Sequence, residues 1–111
     1  VLALSGGERT KVRLARSLAQ LYHPNHIKHN PVYWLLDEAD AHLDVRQKHL
    51  LGELCRVQAE AGLAVGVVSH DLAWVRAYSD QICAVRALNI TQMGETAHIL
   101  ANIPPNADFW L

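Results

Sequence analysis

No stretch of the 111-residue sequence is apolar for long. The longest run, residues 63–68, contains a glycine and falls far short of the roughly 20 residues that span a bilayer, and no charged start followed by an apolar run marks a signal peptide. An excess of positive charge is also missing. Ten Lys plus Arg stand against eleven Asp plus Glu, a formal charge of −1 with His neutral, which argues against direct binding to a run of nucleic-acid phosphates. Cysteine is scarce: Cys55 and Cys83 lie far apart among apolar neighbours, with neither a CxxC nor a paired Cys/His spacing. That pattern excludes a disulfide framework and a zinc site, and both cysteines are expected to be reduced core thiols. Repeats of fixed period and low-complexity tracts are absent. What remains, 50% hydrophobic and 19% charged residues, is the composition of an ordinary folded domain with one modest core, and the missing apolar span and signal peptide lead us to expect a soluble, cytoplasmic chain.

Ser5-Gly6-Gly7-Glu8 has the S-x-x-E form of a capping box, in which a hydroxyl and a carboxylate reciprocally satisfy free N–H groups of a helix start. A helix is predicted to run to about Tyr22, with Val12, Ala15, Ala19 and Tyr22 on its apolar face and Arg9, Arg13, Arg16 and Gln20 on a basic edge. Residues 23–31, with two prolines, two asparagines and three histidines, read as a loop. The apolar run 32–36, between Pro31 and the acids Asp37 and Glu38, predicts a strand buried on both faces. Asp44 reads as the N-cap of a helix reaching about Ala61, with Gly62 as its stop, and residues 64–68 as a second buried strand. Ser69, His70 and Asp71 follow, then a short helix over 72–79, strands over 81–86 and 89–92, and a last helix near 96–100. This order describes an α/β layer of parallel strands flanked by helices. Ligands of such sheets gather beyond the carboxyl ends of the strands, where Asp37, Glu38 and His70 fall.

A hydrophobic strand delivering two adjacent acids suits a nucleotide hydrolase: Asp37 helps hold Mg²⁺, directly or through water, and Glu38 polarises an attacking water. The alternative is that both merely cap the strand and face solvent. Leu4-Ser5-Gly6-Gly7-Glu8 opens a helix, whose free N–H groups and positive dipole end make an anion site, or it is a plain capping box. His70 is placed to touch a terminal phosphate or to serve as a structural hydrogen-bonder. His23, His26 and His29 have H-x-x-H-x-x-H spacing, but next to Pro24 they read as a solvated loop with no metal. Trp34, Trp74 and Trp110 read as packing residues.

Taken in order, these segments resemble the second half of the ATP-binding-cassette (ABC) ATPase family of P-loop NTPases. Leu4 to Glu8 is similar to the family's LSGGE signature, and residues 32–38 to its Walker B strand with catalytic glutamate. Ala41-His42-Leu43-Asp44 is similar to the D-loop and Ser69-His70-Asp71 to the switch-histidine loop, so the resemblance runs from residue 2 to about residue 100. It implies that residues 1–111 are the C-terminal part of one ABC ATPase domain, incomplete without an upstream Walker A half. No GxxxxGK[ST] phosphate loop and no Q-loop segment occurs in the sequence, so the chain alone is expected to bind ATP weakly and to be inactive. The resemblance further implies ATP and Mg²⁺ as cofactors and a head-to-tail dimer with a second ATPase subunit. In that dimer Ser5, Gly6, Gly7 and Glu8 would complete the partner's nucleotide site and Asp44 would reach across the same interface. In the chain's own site Asp37 would support Mg²⁺ through water, Glu38 would act as general base, and His70 would bind the γ-phosphate.

Where the family usually has proline after the catalytic glutamate, Ala39 and Asp40 stand here, which is closer to the chromosome-maintenance and DNA-repair branch. The remainder resembles transport ATPases. Residues 62–68, Val68-Ser69-His70-Asp71-Leu72 and a short hairpin before Gly94 are similar to importers of the vitamin B12, haem and iron-siderophore group, the cobalamin importers most. An importer ATPase implies a place at the cytoplasmic face of the cell (inner) membrane, on transmembrane permease subunits. A periplasmic or extracellular substrate-binding protein would act indirectly, and no nucleic acid would be bound. A DNA-maintenance ATPase head and a noncatalytic fragment are the alternatives.

Overall fold

The computed structural model describes residues 5–22 and 31–102, and the chain divides into two compact units, Val1–Ser69 and His70–Leu111. The first unit runs α1 (Gly6–Leu21), β1 (Tyr33–Asp37), α2 (Val45–Glu60) and β2 (Ala64–Val68). β1 and β2 pair in parallel, in register from Tyr33 with Ala64 to Asp37 with Val68, as a crossover through a helix requires. Both helices start on capping boxes. The Ser5 Oγ accepts from the Glu8 N–H at 3.1 Å while a Glu8 carboxylate oxygen accepts from the Ser5 N–H at 3.3 Å. At α2, Asp44 Oδ1 accepts from the Gln47 N–H at 2.7 Å and Gln47 Oε1 from the Asp44 N–H at 3.1 Å. α2 stops before Gly62, whose φ of +105° only glycine adopts without strain.

The inward face of α1 differs from the expected one. Val12, Ala15, Ala19 and Tyr22 are exposed, and Thr10, Leu14, Ser17, Leu18 and Leu21 are sheltered. Both sets satisfy helical spacing, so partners decide between them. The buried Trp34 indole N–H donates to Ser17 Oγ at 2.9 Å. Leu14 and Leu18 line a groove of about 240 Å³ with Leu43, Leu50, Leu51 and Leu54. Tyr22 still contributes through its hydroxyl, which donates to Gln58 Oε1 on α2. The basic edge is as expected, with Arg9, Arg13, Arg16 and Gln20 exposed.

The strands are not buried on both faces. β1 alternates: Trp34 and Leu36 are buried, whereas Tyr33 and Leu35 are 61% and 78% exposed, and in β2 Ala64 and Val68 are exposed. α1 packs on β1 and α2 on β2, so among the described residues only one face of this two-stranded sheet is covered. On the open face Leu35 lies across Gly66, where a Cβ would come within 2.8 Å of Leu35 Cδ2.

The second unit runs α3 (Leu72–Tyr78), β3 (Gln81–Arg86), β4 (Asn89–Glu95) and α4 (Thr96–Ala101). Asp71 caps α3, its Oδ1 accepting from the Trp74 N–H at 3.1 Å. β3 and β4 form an antiparallel hairpin, with β4 three residues longer than the sequence pattern suggests. A register shift between Ala84 and Val85 interrupts the ladder, and Thr91 Oγ1 donates to the Ala84 carbonyl at 3.2 Å. The turn places Ala87 and Leu88 at φ 48° and 65°. Ser79 and Thr96 hydroxyls meet at 2.7 Å where α4 begins.

Of the two cysteines, Cys55 is buried in α2 as expected, and burial pushes its thiol up to about 11. Cys83 is exposed. It sits on the face of β3 opposite the buried Ala84, because a strand alternates its side chains and apolar sequence neighbours do not bury a residue. Trp34 and Trp74 are buried packing residues, as expected. Trp110 and the loop histidines His23, His26 and His29 lie outside the described residues. No helix among the described residues is long and apolar enough to cross a membrane.

Candidate functional site

Asp37 ends β1, and both it and Glu38 are exposed beyond the carboxyl end of the parallel pair. The chain leaves the strand sharply, since Glu38 has a φ of 52°, in the left-handed region that costs a non-glycine residue about 1 kcal/mol. Three backbone bonds hold the turn. Glu38 N–H donates to the Val68 carbonyl at 2.8 Å, Ala41 N–H to Glu38 at 3.1 Å, and Leu43 N–H to Asp40 at 3.2 Å. A side-chain bond joins them: Ser69 Oγ donates to Asp40 Oδ2 at 2.6 Å, with Asp40 only 3% exposed. The turn carrying Glu38 is therefore pinned to the end of β2, one residue before His70.

Exposed carboxylate oxygen at a strand end is the donor type that Mg²⁺ takes alongside water and phosphate oxygens, and Asp37 supplies it. Among the described residues no group of three His, Cys, Asp or Glu could hold a metal by itself. The oxygen chemistry of Asp37 fits an Mg²⁺ whose remaining ligands are water and phosphate oxygens.

At the start of α1 the capping box uses the N–H groups of Ser5 and Glu8, and no acceptor among the described residues takes those of Gly6 and Gly7. Capping does not use up Ser5 either: its Oγ accepts the Glu8 N–H, and the hydroxyl proton stays available to donate. Capping and anion binding are thus compatible at this helix end. The two glycines differ. Gly6 is exposed and stands against the His42 side chain, whereas Gly7 is buried against the Gln47 amide. The segment from Ser5 to Glu8 consequently sits beside Ala41-His42-Leu43-Asp44, and the exposed Asp44 has one carboxylate oxygen engaged as the α2 cap.

Within the first unit the structure brings together Asp37, Glu38 and the end of β2, and it brings Gly6 to His42 and Gly7 to Gln47, on either side of Asp44. His70 opens the second unit and is exposed. Sequence reasoning missed Asp40, Ser69 and Gln47 as organisers of these segments. Gln47 carried a signal, since Asp44-x-x-Gln47 repeats the capping-box pattern of Ser5 and Glu8. For Asp40 no local pattern announces burial.

No family model matches the chain. It is similar to curated importer proteins: 46% identical over 99 residues to the hemin import ATP-binding protein HmuV of Streptomyces coelicolor, covering 89% of this chain and 32% of that protein. It is 34% identical over 100 residues to the methionine import ATP-binding protein MetN of Francisella tularensis subsp. holarctica, covering 89% of this chain and 26% of that one. The chain thus spans about a third of the length of the relatives it matches. Among solved structures, a bacterial Atm1-family ABC exporter with ATP bound superposes with a TM-score of 0.69 at 25% identity, over 96% of this chain and 17% of the other. A dimeric post-hydrolysis state of the ATP-binding cassette MJ0796, bound to ADP and Pi, gives a TM-score of 0.64 at 24% identity, over 84% and 36%. The fold is that of the ABC ATPase domain, of which this chain supplies a part, and its sequence is similar to the ATP-binding proteins of importers.

Proposed function

We propose that this chain belongs to the ATP-binding subunit of an ABC importer and that the complete protein hydrolyses ATP. The observation that carries the reading is the pair Asp37 and Glu38 at the carboxyl end of a parallel sheet, on a turn tied to the segment that leads into His70. Glu38 accepts the proton of the attacking water, and its exposed position leaves it open to substrate. Asp37 holds Mg²⁺ through water, and bound Mg²⁺ supplies neutralisation of phosphate charge. His70 donates a hydrogen bond to the γ-phosphate.

Ser5, Gly6, Gly7 and Glu8 form the second half of a composite site. The Ser5 hydroxyl and the Gly6 and Gly7 N–H groups donate to a γ-phosphate held by a second ATPase subunit in a head-to-tail dimer, with Glu8 fixing the helix start and Asp44 at the same interface. No phosphate loop occurs in this sequence, so the nucleotide is held chiefly by other parts of the protein, and the chain alone is inactive.

The importer reading places the protein on transmembrane permease subunits at the cytoplasmic membrane face, served by a substrate-binding protein. Its cargo is a chelate of the cobalamin, haem and siderophore kind. The relatives named above transport hemin and methionine by name, so hemin is the better-supported cargo and cobalamin draws no support from them. The DNA-maintenance alternative is not favoured: those relatives are import proteins, and Asp40, which suggested it, has a packing use inside this fold. In vesicles holding the complete protein and its permease, the ATPase rate is expected to rise with a hemin-loaded binding protein and to ignore DNA. Stimulation by DNA, with indifference to the permease, would contradict the reading. Hemin, cobalamin and ferric siderophore tried in the same vesicles decide the cargo.

A further inference from the structure

A carboxylate removed from water is costly unless its oxygens are satisfied. Asp40 is 3% exposed, the only acid among the buried polar residues of the described chain, and it accepts a 2.6 Å bond from the Ser69 hydroxyl. Its burial keeps it from meeting substrate. Its place in the chain is the informative feature. Asp40 lies two residues after Glu38, and Ser69 lies one residue before His70.

The turn between them is under load. Glu38 is held at φ 52°, and a bulky residue stays in that region only where its surroundings fix it. The Glu38 N–H bond to Val68 fixes one end of the turn, and the Ala41 N–H bond closes it. The Asp40–Ser69 bond is a side-chain tie across the same gap. Losing it would remove one restraint on residues 38–41 while leaving the strands paired.

We infer that Asp40, through Ser69, is a positioning residue that clamps the Glu38 turn to the residue that follows β2. This rests on the reading of Glu38 as general base given above. Positioning of a reacting group affects the chemical step and not nucleotide binding. In the complete ATPase, Asp40→Ala and Ser69→Ala are each expected to lower kcat about tenfold or more with KM for ATP within about twofold. Asp40→Asn keeps an oxygen acceptor for Ser69 and is expected to retain most of the rate. The double variant Asp40→Ala/Ser69→Ala is expected to be no slower than the worse single one, because both remove the same bond.

The measurement is steady-state ATP turnover of these variants and of Glu38→Gln, with the melting temperature of each. A native kcat in Ser69→Ala and Asp40→Ala overturns the clamp, as does a fall confined to the melting temperature or a strictly additive loss in the double variant. Should Asp40→Ala not fold, Ser69→Ala decides alone, since it deletes only a hydroxyl. Native turnover in Glu38→Gln would instead overturn the general-base reading, so the two failures are told apart.

Discussion

Gly7 lies buried against the Gln47 side chain, whose Oε1 is 3.0 Å from the point where a Cβ on residue 7 would stand. Gln47 is not free to withdraw, because that oxygen also accepts the Asp44 N–H in the α2 capping box. Smallness at position 7 is therefore needed for packing within this chain, whatever approaches from outside.

At position 6 the corresponding Cβ would meet His42 at 3.5 Å, an ordinary contact. Alanine is the better helix former by up to about 1 kcal/mol, so Gly6→Ala is expected to hold or slightly raise the melting temperature. Gly7→Ala should lower it, the displaced Gln47 costing about 1 kcal/mol of cap. Thermal unfolding of the two variants side by side checks the difference, and equal melting temperatures would contradict it.

Asp44 has a structural task separable from any role at an interface. Asp44→Ala removes the acceptor of the Gln47 N–H and is expected to cost about 1 kcal/mol, whereas Asp44→Ser restores a capping oxygen and most of that stability. Chemical denaturation of both variants measures this. If Asp44→Ser lost activity in the complete protein at native stability, the carboxylate would be needed for more than the cap.

The two thiols should respond differently to a maleimide at pH 8. Cys55 is buried and its ionisation is pushed up to about 11, so at pH 8 it is protonated as well as covered, and only the thiolate reacts. Cys83 is exposed and is expected to label in the native state, with Cys55 labelling only after denaturant. Mass spectrometry of the labelled peptides reads the result. Native labelling of Cys55 would contradict the core placement of α2.

Ser17→Ala leaves the indole N–H of the 2%-exposed Trp34 without its acceptor. An orphaned buried donor costs about 1–3 kcal/mol, and a urea midpoint shift of that size, with the Trp34 emission altered, is the expected outcome. An unchanged midpoint would mean that another acceptor replaces Ser17.

Much of this architecture was legible in the sequence, and the reasons are local. Ser5-x-x-Glu8 and Asp44 mark their helix starts through short-range hydrogen bonds, Gly62 stops α2, and residues 64–68 fall where an apolar run between turn residues puts them. The open face of β1 was not legible, because a run such as Tyr33-Trp34-Leu35-Leu36 has the same pattern whether one face or both are covered. The same limit misplaced the apolar face of α1: Val12 with Ala15 and Leu14 with Leu18 both obey the helical period, and only the Trp34 and α2 partners select the second pair. Of the candidate site, Asp37 and Glu38 could be read from their strand. The Asp40–Ser69 bond spans 29 residues, and a contact of that range leaves no periodic trace in a single sequence.

The proposed role of Glu38 as general base is checked by ATP turnover of Glu38→Gln in the complete protein, measured beside Mg-dependent ATP binding. The amide cannot accept the proton of the attacking water but leaves the exposed strand end and its Asp37 in place. Binding is expected to persist, turnover to fall by at least about a hundredfold, and the nucleotide-bound dimer to accumulate. Turnover at the native rate would contradict the account.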